Sequence, residues 1–262
     1  MTLKRLILLV VLGAGGGGVL VYTLRSQVGP ANGRLVPFTA YMTMVLTDGK
    51  GGGTTYQGVS AVRSDGGHVQ QNITGTPKSL SITTQVSDPT SRTLTKWNNI
   101  TRKKETVPLT DDALARLRFT YQSATCSDRY NSGSGDPQFL RWDSVAGVQV
   151  AVFGKSDDKA DWKFYLAPSL NCFQVKQTQD WKDTGGKTIF EVSQVVRGEP
   201  NPAFFQVPPD AVETTPSDFE HAMSQAHGFP MPESMAERMK RRDAAYLAAR
   251  QNAVKLGIKL PE

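Results

Sequence analysis

Few residues of this chain have the types and spacing that catalysis or metal binding needs. Its three histidines, His68, His221 and His227, are scattered, and none falls in an H-E-x-x-H or comparable ligand spacing. No G-x-S-x-G elbow presents a nucleophilic serine. Two phosphate-loop fragments occur, Gly154, Lys155, Ser156 and Gly186, Lys187, Thr188. The glycine required five residues before each Gly-Lys pair is replaced by Gln149 and Trp181, so both fragments read as hairpin turns. Gly13, Gly15 and Gly18 satisfy G-x-G-x-x-G, yet no acid for a ribose stands between Val28 and Thr47 and no βαβ unit follows. An acid pair such as Asp157 and Asp161 has the groups for hydrolysis, although acids beside a lysine-bearing turn ordinarily face solvent. Pairing Cys126 or Cys172 with a histidine would make a thiol nucleophile, and nothing in the spacing supports it. The expectation is a protein that is not an enzyme and has no metal site and no cofactor.

The charge pattern argues against nucleic acid as a partner. The chain carries 30 Lys plus Arg against 24 Asp plus Glu, a formal +6. Residues 1–30 hold three of the positives and no acid, while residues 31–216 hold 20 positives against 18 acids and residues 217–262 hold 7 against 6. A nucleic-acid face needs its cations clustered on one module, and half of this excess belongs to the leader.

That leader sets the address. Lys4 and Arg5 precede nineteen uncharged residues, Leu6 to Leu24, long enough as a helix to span the roughly 30 Å hydrocarbon core of a bilayer. The positive-inside rule puts the start in the cytoplasm and the body outside, on the periplasmic side, anchored in the inner membrane through residues 6–24. The alternative is a cleaved signal peptide with its apolar region at Leu6–Leu12 and small residues at Ala14 and Gly16. Both readings export the rest of the chain. In an exported chain two cysteines most simply pair. Cys126 to Cys172 would then close a loop worth on the order of 4 kcal/mol in the chain-entropy model, against the alternative of two buried thiols.

The body must be built mainly of strands. Phe38, Ala40, Met42, Met44 and Leu46 alternate with Thr39, Tyr41, Thr43, Val45 and Thr47, a period of two. Asp48 to Gly53 and Asp65 to Gly67 supply turns between further alternating runs. Strands follow at Leu80 to Val86, around Leu94 and Trp97, at Val148 to Val152, Trp162 to Leu166, Phe173 to Val175 and Phe190 to Val196. Thr110 with Asp111 and Asp112 caps one helix, continued by Leu114, Leu117 and Tyr121 at helical spacing. Eight or nine strands with one intervening helix predict an antiparallel sheet over residues 31–216. Residues 217–262 change character: Ser217 caps one helix, Gly228 and Pro230 stop it, and a second runs from about Pro232 to Leu256. The division is therefore a membrane anchor or signal segment (1–30), an antiparallel β domain (31–216) and a helical C-terminal extension (217–262).

One stretch is more specific. Asp161, Trp162, Lys163, Phe164, Tyr165, Leu166, Ala167 and Pro168 lead through Phe173 to Val175, a Gly-Gly turn and Phe190 to Val196. The run closes on Gly198, Glu199, Pro200, Asn201, Pro202, Phe204, Phe205, Gln206, Val207 and Pro208. This resembles the closing strands of bacterial periplasmic proteins with the LolA-like fold, which include lipoprotein-sorting carriers and related uncharacterised domains. The resemblance implies a strongly curved antiparallel sheet, an incomplete barrel, whose concave apolar face holds acyl chains. On this chain the candidates for that face are Phe38, Met42, Met44, Leu46, Leu80, Ile82, Val86, Trp162 and Phe164. The bland reading of the same residues is an ordinary core packed against the Leu114 helix.

Two functions follow from these readings. One is a tethered or exported binding domain that accepts lipid, an acyl chain or a lipidated partner on its concave face. The other is a structural or assembly protein that engages a protein partner through its C-terminal helices and has no ligand cavity.

Overall fold

Strict alternation makes Phe38–Thr47 a strand (β1), and the same rule builds most of the molecule. The computed structural model describes residues 35–76, 79–111, 114, 126, 137–227, 233–255, 257 and 260. After β1 come β2 (Gly53–Val62), β3 (His68–Thr76), β4 (Ser79–Asp88), β5 (Thr93–Asn98) and β6 (Lys103–Pro108). The second half holds β7 (Gln138–Val145), β8 (Val148–Ser156), β9 (Ala160–Ala167), β10 (Phe173–Trp181), β11 (Lys187–Arg197) and β12 (Val212–Glu213). All twelve lie in one sheet, in the order β12-β6-β5-β4-β3-β2-β1-β11-β10-β9-β8-β7. Its ladders are antiparallel except the short one between β12 and β6, so the expected antiparallel sheet is in fact mixed.

Three strands go beyond those read from the sequence, and each hides for its own reason. β6, with the sequence KKETVP, opens on two charged residues. β7 breaks alternation, because the ladder shifts register between Phe139 and Arg141 and leaves Leu140 as the extra residue of a bulge. β12 is only two residues long. The helix predicted from Thr110 lies outside the described residues beyond its first turn, where the Leu114 N–H donates to the Thr110 carbonyl at 2.9 Å. Residues 6–24 also lie outside. Among the described residues no helix is long and apolar enough to cross a membrane.

Turn chemistry explains how the meander closes. Asp48 Oδ1 accepts from the Lys50 and Gly52 amides at 2.8 and 3.0 Å, folding the loop between β1 and β2. Gly49 there has φ of +74° and packs against the Thr184 carbonyl so closely that a Cβ would lie 2.5 Å from it, so only glycine fits.

Burial divides into three clusters. The first joins Phe38, Ala40, Val62, Val150, Val152, Tyr165, Ala167, Leu170, Val175 and Val192, with Met42 and Phe190 packed on it. The second lies on the other side of β8 and β9, where Ala151, Phe153 and Leu166 surround Cys126 and Cys172. These cysteines form a disulfide, with Cα atoms 5.2 Å apart. The third joins Ala61, Val69, Val86 and Trp97 beneath Phe204, Phe205 and Val207. The tail quoted above from Gly198 to Pro208 thus acts as a lid over one face of β2 to β5. Asn201 Oδ1 caps its 3-10 turn, Pro202–Phe205, by accepting from the Ala203 amide, and the Arg63 guanidinium lies 4.6 Å over the Phe205 ring.

Helices α1 (Pro216–His227) and α2 (Glu233–Lys255) dock on β6. Phe219, Met239, Tyr246 and Ala253 are buried beneath them. Glu213 on β12 is the polar centre of this contact. Its carboxylate accepts from the Thr106 amide at 2.8 Å, the Tyr246 hydroxyl at 2.7 Å and Arg250 at 3.1 Å. Burial and the adjacent Glu213 carboxylate push the Tyr246 phenol well above its usual range.

Candidate functional site

Cross-strand register decides which of the nine candidate residues share a face, because directly opposed residues of an antiparallel ladder point the same way. Two regular rungs run from β1 to β9. In one, Met44 opposes Phe190, which opposes Gln177, which opposes Phe164. In the other, Leu46 opposes Thr188, then Gln179, then Trp162. Met44, Leu46, Trp162 and Phe164 therefore meet on one face, and all four are half-buried.

Of the other five, two stay on this side of β1 and three do not. Phe38 and Met42 stand on the same side of β1 as Met44 and Leu46, along a ladder to β2 that runs without a shift, and pack in the first core cluster with Phe190 and Val192. Leu80, Ile82 and Val86 point to the reverse face of the sheet. Val86 opposes Val69, then Ala61, then Thr39, and Ile82 opposes Ile73, then Gln57, then Thr43. Val86 is core beneath Phe204, whereas Leu80 is 45% exposed. Of the nine, Leu80, Ile82 and Val86 therefore lie on the reverse face, while Phe38 and Met42 share the side of β1 that carries Met44 and Leu46. Alternation within each strand was legible, but the register that sets strands of distant sequence against one another is a tertiary property.

The four that meet are part of a larger aromatic patch. Trp162 stacks on Phe164 with ring centroids 6.1 Å apart and planes at 8°, and Trp181 meets Trp162 edge-on at 6.1 Å. The Trp181 indole N–H donates to Thr188 Oγ1 at 3.3 Å. In the middle of the rungs sits Gln179, only 4% exposed, and its side-chain Nε2 has no hydrogen-bond partner. A buried amide donor left unpaired costs about 1–3 kcal/mol, so its presence among aromatic rings calls for an explanation. Sequence reasoning missed Gln179, Phe190 and Trp181. The signal was present in the alternation of Gln177, Gln179 and Trp181 on β10, but polar residues on a strand ordinarily read as its solvent side.

The rim of this patch is charged, and three of its acids are held by partners. Asp161 accepts from Ser156 at 2.6 Å and meets Lys182 at 3.1 Å, and the Ser156 and Lys182 bonds hold its carboxyl below the ordinary range. Asp157 is held low by the amides of Ala160 and Lys159. Asp180 pairs with Lys187 at 2.9 Å. An acid pair for hydrolysis needs one carboxyl raised to act as the acid, and both members here are lowered. The two glycine-lysine fragments fall where hairpins need them, at the end of β8 and at the start of β11. His68 Nε2 lies 3.0 Å from Ser60 Oγ, and among the described residues no three His, Cys, Asp or Glu gather as metal ligands would.

No family model matches the sequence, and no curated protein matches it. Solved structures similar to this chain are nonetheless found. One is an uncharacterized conserved protein from Thermus thermophilus, at 10% identity over 68% of this chain and 90% of that one, with a TM-score of 0.43. Another is the MucA/MucB complex of Pseudomonas aeruginosa, at 14% identity over 71% of this chain and 60% of that one, with a TM-score of 0.40. A third is a LolA superfamily protein from Nitrosomonas europaea, at 9% identity over 65% of this chain and 90% of that one, with a TM-score of 0.33.

Proposed function

We propose that this chain is an exported binding domain, tethered or released on the periplasmic side, that takes an acyl chain or lipidated segment on its aromatic patch. The observation that carries the reading is Gln179. A buried amide donor without a partner, framed by Trp162, Phe164, Thr188 and Leu46, suits a ligand that is apolar along its length and carries a carbonyl or carboxylate oxygen. The disulfide and the leader support the address, since such bonds persist in oxidising compartments.

Tryptophan fluorescence tests it. A chain beginning at residue 31, titrated with a dibrominated fatty acid, should show saturable quenching. The Trp162→Phe, Trp181→Phe double variant should lose that quenching, and Trp97→Phe should keep it. Absence of saturation, or equal quenching in the double variant, would refute the site. Gln179→Leu sharpens the test: it should weaken binding while raising stability by about 1 kcal/mol, because it removes an unpaired donor.

A second reading, assembly through the C-terminal helices, is favoured by Leu247 and Val254. They lie seven residues apart on α2 and are 52% and 73% exposed. The Leu247→Glu, Val254→Glu double variant should abolish co-purification of a protein partner with the fold unchanged. Unaltered co-purification counts against this reading.

A further inference from the structure

The two edges of the sheet are treated differently, and the outer edge of β7 is the unusual one. No strand among the described residues pairs with it. Natural edge strands are blunted by charged residues, above all lysine, by proline, bulges, shortness or a covering element, and of these β7 has only its bulge and the Arg141–Asp143 pair. β7 is eight residues long, reads QFLRWDSV, contains neither lysine nor proline, and exposes Phe139, Leu140 and Trp142 by half or more. Phe139 and Trp142 share a side, in edge contact at 5.6 Å, because the Leu140 bulge brings them into phase. Arg141 and Asp143 share the other side, bridged at 3.0 Å.

We propose that β7 pairs antiparallel with β7 of a second copy of this chain about a two-fold axis at Trp142. The charge order selects both occupant and register. Centring the pair on Trp142 sets Arg141 opposite Asp143 of the other copy twice over, with Trp142 against Trp142 on the other side. Centring on Arg141 opposes two arginines, and centring on Asp143 opposes two aspartates. Only even shifts keep side chains on matching faces, so Arg-Trp-Asp is self-complementary in one register. The bulge at Leu140 limits regular pairing to the rungs around Trp142, which makes the contact short and the dimer concentration-dependent.

Cross-linking tests the register directly. Cys126 and Cys172 are bonded to each other, so Trp142→Cys adds a lone thiol, and opposed Cβ atoms in such a ladder lie about 4.5–5.5 Å apart. The full chain carrying Trp142→Cys, in detergent micelles with a mild oxidant, should form a disulfide-linked dimer whose yield rises with concentration. Ser144→Cys should form far less. Adding Arg141→Asp should cut the dimer severalfold, and adding Asp143→Arg to that should restore it. Circular dichroism of each variant separates loss of pairing from loss of fold. A monomer at every concentration, a cross-link to some other protein in place of a second copy, or a yield indifferent to the charge reversal would overturn the proposal.

Discussion

The two ends of the sheet are stabilised by different chemistry. At the β12 end, α1 and α2 cover β6 and bury Phe219, with Glu213 receiving bonds from Thr106, Tyr246 and Arg250. Around them Lys96 bridges to Glu220 at 2.9 Å, and Arg242 reaches Glu105 at 3.4 Å and Glu220 at 3.6 Å. At the β7 end the described residues hold no helix. There the Cys126–Cys172 disulfide lies within the core cluster of β8 and β9, and β7 itself is left half-exposed. One end is a non-covalent clamp sensitive to pH and salt. The other is a covalent staple sensitive to reductant.

The contrast can be broken end by end. The largest effect should come from the staple: Cys126→Ser with Cys172→Ser should cost about 4 kcal/mol in the chain-entropy model, read as a fall in denaturant midpoint that reductant produces in the parent and not in the variant. Next, Phe219→Ala should cost about 3 kcal/mol as a core aromatic is truncated, with amide exchange rising first in α1 and α2. If exchange rises equally in β8 and β9, the two ends are not separable. Glu213→Gln should cost about 2 kcal/mol, since bonds from Thr106, Tyr246 and Arg250 lose their charged acceptor.

The smallest effect is a difference in pH response. Burial raises the Glu105 carboxyl above its unfolded value of 4.5. Its contribution is therefore fully present below that value and is lost as pH rises through the folded one. Asp143, Asp157 and Asp161 are lowered by hydrogen bonds from 3.8, so their contributions hold above that value and are lost as pH falls through the folded ones. Mild acidification should thus tighten the helical end before it loosens the hairpins of β7 to β9. Amide exchange corrected for intrinsic rate would read this, and Glu105→Gln should flatten the response of α2 alone.

How much of this was legible depended on distance along the chain. β1 could be read from Phe38 to Thr47 because alternation is local, and α1 and α2 because Gly228 and Pro230 separate them, although α1 is capped by Thr215 and not by Ser217: Thr215 Oγ1 accepts from the Asp218 amide at 3.2 Å. β7 could not, since Leu140 breaks the alternation only because β8 lies beside it. The candidate face was half legible. Met44, Leu46, Trp162 and Phe164 do share rungs, while Leu80, Ile82 and Val86 belong to the reverse face and pack, where buried, beneath the closing tail. Nothing local distinguishes Gln179 from any other strand glutamine; its burial and its unpaired donor arise from Trp162 and Thr188 on the flanking strands.

The amino-acid sequence by itself determined the strand-rich body, the two terminal helices, the mixed charge that offers no nucleic-acid face, and the two cysteines available to pair. These are properties of composition and of short-range periodicity, which backbone sterics and side-chain burial impose wherever the chain lies. Tertiary structure alone decided which strand faces meet, where Gln179 is stranded, which edge the helices cover and which edge no described strand pairs. Each of these depends on pairing between residues tens of positions apart, and a shift of one residue there moves every side chain to the other face.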